Sequence, residues 1–429
     1  METLLLIASF IVFLLFISHL LFRSILAPLG VYSLLWGVVV IVAYILEQQG
    51  EYSFHKEIYY MFLLGWVSFV FGCIFLYLIE GIKVNFFNRV LSDEILGINI
   101  YYLRNGMIFL SIIGLIFSIC YFYEMFSLIK GMEKEMIRHF VYALSGEIST
   151  QIFTRKWYIY NLGIAIIILS SFFAATYISV VKDKKSFERL ISYIPFVSVI
   201  LFILPEMSRG RLLDVILIYT FIYLFLRYTK FNFLKILHKD YKLLLFLSTI
   251  LIVPTALITK TRGIVFSENL ILNVFYQVEN YFAVSIIAFN ESLTSFQQKI
   301  GMRAILYPAY YLLERIGIIP VGSNVDPTQL TEFITYPTPT YLYWLHSGYG
   351  WFGIITVSFF IGIISTYFYM MFMRNRNIGS LWFLVSSYLV ILASYATWRL
   401  YDLWFWIVLC LIIPITKLVE LGSPLRQDR

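Results

Sequence analysis

Charge is scarce in this chain. Asp, Glu, Lys and Arg together make up 13% of its 429 residues, against about 25% in an ordinary soluble domain. That shortage excludes a soluble enzyme and a disordered chain. Cysteine is nearly absent: Cys73, Cys120 and Cys410 all lie inside apolar runs, which excludes a disulfide-stapled secreted fold. There is no HExxH, no cysteine pair and no adjacent acidic pair in the loops that matter below, so no metal is expected. No glycine-rich P-loop precedes a Lys-Ser or Lys-Thr pair, so no nucleotide is expected either, and no cofactor of any kind. No Lys/Arg tract with interleaved aromatics suggests a nucleic-acid surface. Internal repeats and low-complexity tracts are missing.

What the chain has is apolar surface. Hydrophobic residues are 60% of it, aromatics 19%, and the mean hydropathy is +0.83. The apolar residues come in continuous runs of roughly 20, not in alternation, which fits helices across a bilayer and excludes an outer-membrane β-barrel. The fold class is therefore an all-α polytopic membrane protein.

Eleven spans are expected, at about 3–22, 27–46, 58–79, 105–129, 159–181, 191–207, 212–228, 243–258, 351–373, 378–397 and 400–417. The first is read as a helix and not a signal peptide, because only Glu2 precedes it and Ala27-Pro28 is no cleavage signature. The formal charge of +7 first means basic cytoplasmic loops. With the long 259–350 segment discounted, the loops on the C-terminal side carry about twice the Lys and Arg of the other side. The C-terminus is expected in the cytoplasm and the N-terminus outside. Three regions follow: 1–258 with spans one to eight, 259–350 as a large extracytoplasmic loop, and 351–429 with the last three spans and a cytoplasmic tail.

The loop is the unusual part. Stretches 264–289 and 303–319 are apolar and aromatic but interrupted by polar residues, as in amphipathic helices lying on the membrane or dipping into it. Stretch 320–340 holds Pro320, Gly322, Pro327, Pro337 and Pro339 and reads as an irregular, ordered loop. Loops of this length in a non-disordered composition are usually functional.

Ionisable residues at membrane depth carry the chemistry, because their desolvation is costly. Glu206-Met-Ser-Arg-Gly-Arg211 joins two spans by a very short connection and sets Arg209 and Arg211 at the outer membrane edge. Arginine offers a planar fork of donors that fits phosphate oxygens. The competing reading pairs Arg211 with Asp214 one turn on and lets Arg209 snorkel. Thr259-Lys-Thr-Arg-Gly263 repeats the basic-plus-glycine pattern and adds Arg262 and Lys260. Arg303 opens the second surface stretch. Arg399 lies in Trp398-Arg-Leu-Tyr-Asp402, where it could pair with Asp402. His346 precedes Gly350-Trp-Phe-Gly353 and is a candidate general base. Glu279 is the leading acidic alternative, with Glu314 and Asp326 behind it. The aromatics around His346 suit sugar stacking and an interfacial belt equally well.

Ser208-Arg209-Gly210 at the end of a middle span, a long outer loop, then Pro337-Thr-Pro-Thr-Tyr-Leu342 and Gly350-Trp-Phe-Gly353 running into a late span: this combination resembles the oligosaccharide repeat-unit (O-antigen) polymerases. The architecture matches end to end, and the motifs cover about 25 residues of 208–211, 260–263 and 337–353. The resemblance implies a metal-independent GT-C-type glycosyltransferase of the plasma (inner) membrane with a periplasmic active face. Its substrates would be undecaprenyl-pyrophosphate-linked oligosaccharides, with a chain-length regulator as a possible partner. It carries pyrophosphate binding over to Arg209 and Arg262 first, then Arg211. The related O-antigen ligases place a histidine where this chain has Thr338, Pro339 and Thr340, and His346 lies about two turns later. A ligase is the first rival reading. A flippase for the lipid-linked glycan is the second, disfavoured by the missing repeats. A polyprenyl-phosphate-dependent GT-C enzyme is the third; its first outer loop would need an acidic pair, and Glu47, Glu51 and Glu57 are not adjacent.

Overall fold

The computed structural model describes residues 2–48, 50, 53–81, 98–130, 153–181, 185–206, 210–227, 285–290, 293, 308–310, 313, 317–318, 340–395 and 398–420. Among them every extended element is a helix: α1 Glu2–Phe22, α2 Pro28–Gln48, α3 Lys56–Leu76, α4 Ile100–Ile129, α5 Phe153–Val180, α6 Ser186–Ile191, α7 Ile194–Glu206, α8 Gly210–Arg227, α9 Tyr341–Asn375, α10 Ile378–Ala393 and α11 Leu403–Glu420. Helix α3 runs on into a π-helical turn, Tyr77–Gly81.

Eight helices among the described residues are long and apolar enough to cross a membrane: Leu4–Phe22, Pro28–Gln48, Lys56–Glu80, Ile100–Ser127, Ile159–Val180, Ser186–Leu204, Tyr341–Asn375 and Leu403–Glu420. The chain is an α-helical membrane protein. The physical reason for helices is that lipid offers no partner to a backbone N–H or C=O, so each must be paired within its own segment. The expected span at 212–228 corresponds to α8, which carries Arg211, Asp214 and Arg227 within its length. That at 378–397 corresponds to the 16-residue α10. The expected span at 243–258 lies outside the described residues. Helix α9 starts at Tyr341, well before the expected 351.

The chain divides into two compact units. Unit 1 comprises Met1–Leu91, Gln277–Arg374 and Ser386–Leu403; unit 2 comprises Ser92–Tyr276, Asn375–Val385 and Trp404–Arg429.

Unit 1 is knit by buried hydroxyls and indoles. Tyr32 and Tyr341 share a hydrogen bond of 2.6 Å, and Tyr341 reaches Ser358 Oγ at 2.8 Å. Trp36 donates to Ser394 Oγ and Trp66 to Ser33 Oγ, both at 3.1 Å. The Tyr32 ring stacks on Phe69 at 3.8 Å. The segment 285–290 is helical, and Ser285 to Phe289 are buried, with Phe289 against Phe62. The end of stretch 264–289, expected to lie on the membrane or dip into it, packs into unit 1; the rest of that stretch lies outside the described residues.

Unit 2 packs α4, α5, α7 and α8 together. Asn99 caps α4 by accepting from the N–H groups of Tyr101 and Tyr102 at 3.0 and 3.4 Å. This satisfies donors left over at the first turn. Helix α4 turns Leu103, Met107 and Met125 inward and leaves Phe109, Ile112, Ile116 and Ile119 exposed, an apolar outer face suited to lipid. Phe202 sits among Phe117, Tyr121 and Tyr160, with Tyr121 at 4.3 Å. Trp382 donates to Thr176 Oγ1 at 3.0 Å beside Phe172 and Phe173. The buried Glu188 is matched on three sides: by the Tyr177 hydroxyl at 2.8 Å, the Lys185 N–H at 3.1 Å and Arg104 at 3.6 Å. A carboxylate at that depth requires such pairing.

Candidate functional site

Two groups of expected residues fall on the described chain, one in each unit. In unit 1 the site is built on a reversal inside α9. Tyr349 has φ −139° and ψ 15°, and Gly350 has φ +62° and ψ −145°. The second of these is open to glycine almost alone. The break divides α9 into a segment 341–348 and a longer segment from 351. Two contacts give their relation. A Cβ on Gly353 would lie 2.5 Å from the Leu345 carbonyl oxygen, and Tyr341 hydrogen-bonds Ser358. The residue numbers of the two pairs converge on 349–350, so the segments lie antiparallel as a helical hairpin. The glycines of the Gly350-Trp-Phe-Gly353 motif therefore have separate tasks: Gly350 makes the turn, and Gly353 lets the returning helix close on the first.

His346 sits in the first arm of this hairpin, half-buried, with the Glu57 carboxylate in electrostatic range. Glu57 lies in the first turn of α3, whose Gly65 faces Leu342 and Ile354 from the two arms. The loop before α3 is held by one side chain. Asn290 accepts from the His55 N–H at 2.9 Å and donates to the Ser53 carbonyl at 3.2 Å. Tyr59 donates to Glu47 at 2.8 Å nearby in sequence. We expect Asn290→Ala to release this loop locally, because each lost bond is worth about 1 kcal/mol. Hydrogen exchange at the His55 amide should accelerate while the melting temperature barely moves; an unchanged His55 amide would show that the clamp lies elsewhere.

At the start of the hairpin, Tyr341 is fully buried. Its N–H donates to the Ser394 carbonyl at 2.8 Å, and its ring stacks on Trp398 at 5.8 Å. Arg399 follows Trp398 directly, opens a 3-10 turn and is 7% exposed. Its Nη1 bonds Asp402 at 3.1 Å. The i,i+3 pairing expected from the sequence is present, and it supplies the counter-charge a buried guanidinium needs.

In unit 2 the first turn of α8 carries Arg211. Its guanidinium lies 3.9 Å from the buried Asp214 and 4.8 Å above the Trp404 ring. The Trp404 N–H donates to Asn161 Oδ1 at 3.2 Å. Ion pair and ring together fix Arg211 in one orientation. Asp214 was foreseen as its partner; Trp404 was not, because nothing local links positions so far apart in sequence.

Arg209, Arg262, Arg303 and Glu279 lie outside the described residues, as do Lys260, Glu314 and Asp326. Among the described residues no three His, Cys, Asp or Glu side chains come together in a way that could hold a metal ion. Thr340 and Glu57, noted in the sequence only for rival readings, enter the site here; with the helix expected from 351, nothing marked Thr340 as the residue before a helix start. Compared with known proteins, the chain matches no protein-family model, no curated protein and no solved structure.

Proposed function

We propose that this membrane protein is a GT-C-type glycosyltransferase that polymerises undecaprenyl-pyrophosphate-linked repeat units into an O-antigen or capsule-type polysaccharide. The observation that most supports this reading is the hairpin on Gly350-Trp-Phe-Gly353. The same stretch that carries the family-like motif carries His346, and Trp398, the residue before Arg399, packs at its start.

The reaction asks for little beyond positioning and charge. The acceptor hydroxyl loses a proton, its oxygen bonds the anomeric carbon of the growing glycan, and the bond from that carbon to the pyrophosphate breaks. Undecaprenyl pyrophosphate leaves with the electron pair. Arginine donors fixed in a low-dielectric site stabilise that developing charge without a metal. Arg209 and Arg262 take this role first, then Arg211, Arg303 and Arg399. His346 or Glu279 takes the proton. The active face is periplasmic, the C-terminus cytoplasmic, and a chain-length regulator is the natural protein partner.

The test is a glycan gel on cells lacking the gene. Surface glycan stopping at one repeat unit is the expected result, since flipping and ligation survive while polymerisation is lost. A full ladder would overturn the reading. Loss of all repeat units would transfer the protein to ligation, flipping or an earlier step.

A further inference from the structure

The first arm of the α9 hairpin begins in the interior of unit 1. Tyr341 pairs with Ser358, which lies about 12 Å along the returning helix from Gly350 at 1.5 Å per residue. A helix that starts at such depth presents its first-turn N–H groups and the positive end of its dipole to the interior. Two of those donors are taken: the Tyr341 N–H by the Ser394 carbonyl at 2.8 Å and the Tyr343 N–H by the Thr340 carbonyl at 3.1 Å.

The residue at that end is Thr340. It is fully buried, and its hydroxyl has no hydrogen-bond partner. A buried unpaired hydroxyl is costly, and valine fills the same volume without the cost. A hydroxyl at such a point calls for an explanation, and an incoming ligand atom is a physical one. Trp398 stacks on the ring of Tyr341, the next residue after Thr340, and Arg399 follows Trp398 in the chain. Asp402 offsets the Arg399 charge. Directional donors, and not net charge, would therefore set what binds here.

We propose that the Thr340 hydroxyl, the N-terminus of the 341–348 helix and Arg399 together bind a phosphate group of a diphosphate. This rests on the polymerase reading for its biological ligand, a lipid-linked diphosphate, and adds Thr340 as a group that touches it. The same chemistry would accept free pyrophosphate.

The test uses the full chain in phosphatidylcholine nanodiscs, titrated with undecaprenyl pyrophosphate and, separately, with inorganic pyrophosphate. Thr340→Val should melt at the wild-type temperature or above it, because it removes an unpaired buried hydroxyl, yet bind at least about tenfold more weakly. Thr340→Ser, which keeps the hydroxyl, should bind within about threefold of wild type. Binding of the lipid alone would name the headgroup as the source; equal binding of both would name the free anion; either supports the site. Wild-type affinity in Thr340→Val would overturn it. So would a lower melting temperature in that variant, which would mean that the hydroxyl serves the fold, or a wild type that binds neither diphosphate. Binding is read without turnover, so a full glycan ladder in the deletion strain would remove the polymerase reading and leave this result standing.

Discussion

Arg262→Ala and Arg209→Ala are each expected to reduce surface polysaccharide to a single repeat unit while the protein stays in the membrane at its normal level. The size of the effect follows from the chemistry. Losing one fixed donor to a developing oxyanion costs about 10²–10³ in rate. Polymer length reports the competition between repeated transfer and release, so a loss of that order empties the upper ladder altogether. Lysine is the informative second substitution at both positions. It keeps the charge but loses the planar fork that grips two oxygens at once. Arg262→Lys and Arg209→Lys should therefore restore only short chains. Size-exclusion chromatography in detergent checks that the variants are folded. Normal chain lengths in both alanine variants would remove the pyrophosphate role from these arginines.

Gly353→Val is expected to have the largest effect on stability. Its Cβ would fall 2.5 Å from the Leu345 carbonyl oxygen. The obstacle is backbone, which has no rotamer to escape into, so the arms of the hairpin must part. Overpacking of this sort costs about 1–3 kcal/mol. The buried bond from Tyr341 to Ser358 would be stretched in the same movement. Gly350→Ala acts at the turn itself, where holding a non-glycine residue at such a φ and ψ costs about 1–3 kcal/mol. Both variants should melt at lower temperature than wild type and lose polymer, and the double variant should lose less stability than the sum of the two, because arms already parted cannot be parted again. A wild-type melting temperature for Gly353→Val would mean that the arms do not meet there.

The sequence was readable where the cause is local. Lipid demands apolar stretches of spanning length, and the helices of the two units lie where such runs occur. The ion pairs Arg211–Asp214 and Arg399–Asp402 follow from one turn of helix. The glycine pair at 350 and 353 was visible as a motif, but its task was not, because a reversal needs the Leu345 carbonyl to give it meaning. Long-range packing left no trace. Tyr32 finds Tyr341 and Arg211 finds Trp404, partners separated by long stretches of chain. Segment 285–290 has the composition of a membrane-surface helix, and only its neighbours make it core. Composition reports that a face is apolar and is silent on whether lipid or protein covers it.

The returning arm of α9 sets a length problem for the bilayer. The stretch 351–375 is about 37 Å long at helical rise, against a hydrocarbon core of about 30 Å. A helix too long for its membrane leans, and it leans further as the membrane thins. Because the 341–348 arm is folded back on this helix, any change in its tilt carries the arm with it. Acyl-chain length thus becomes a mechanical input: short lipids would rotate the hairpin, and with it His346 and Thr340, away from the setting they hold in a thick bilayer.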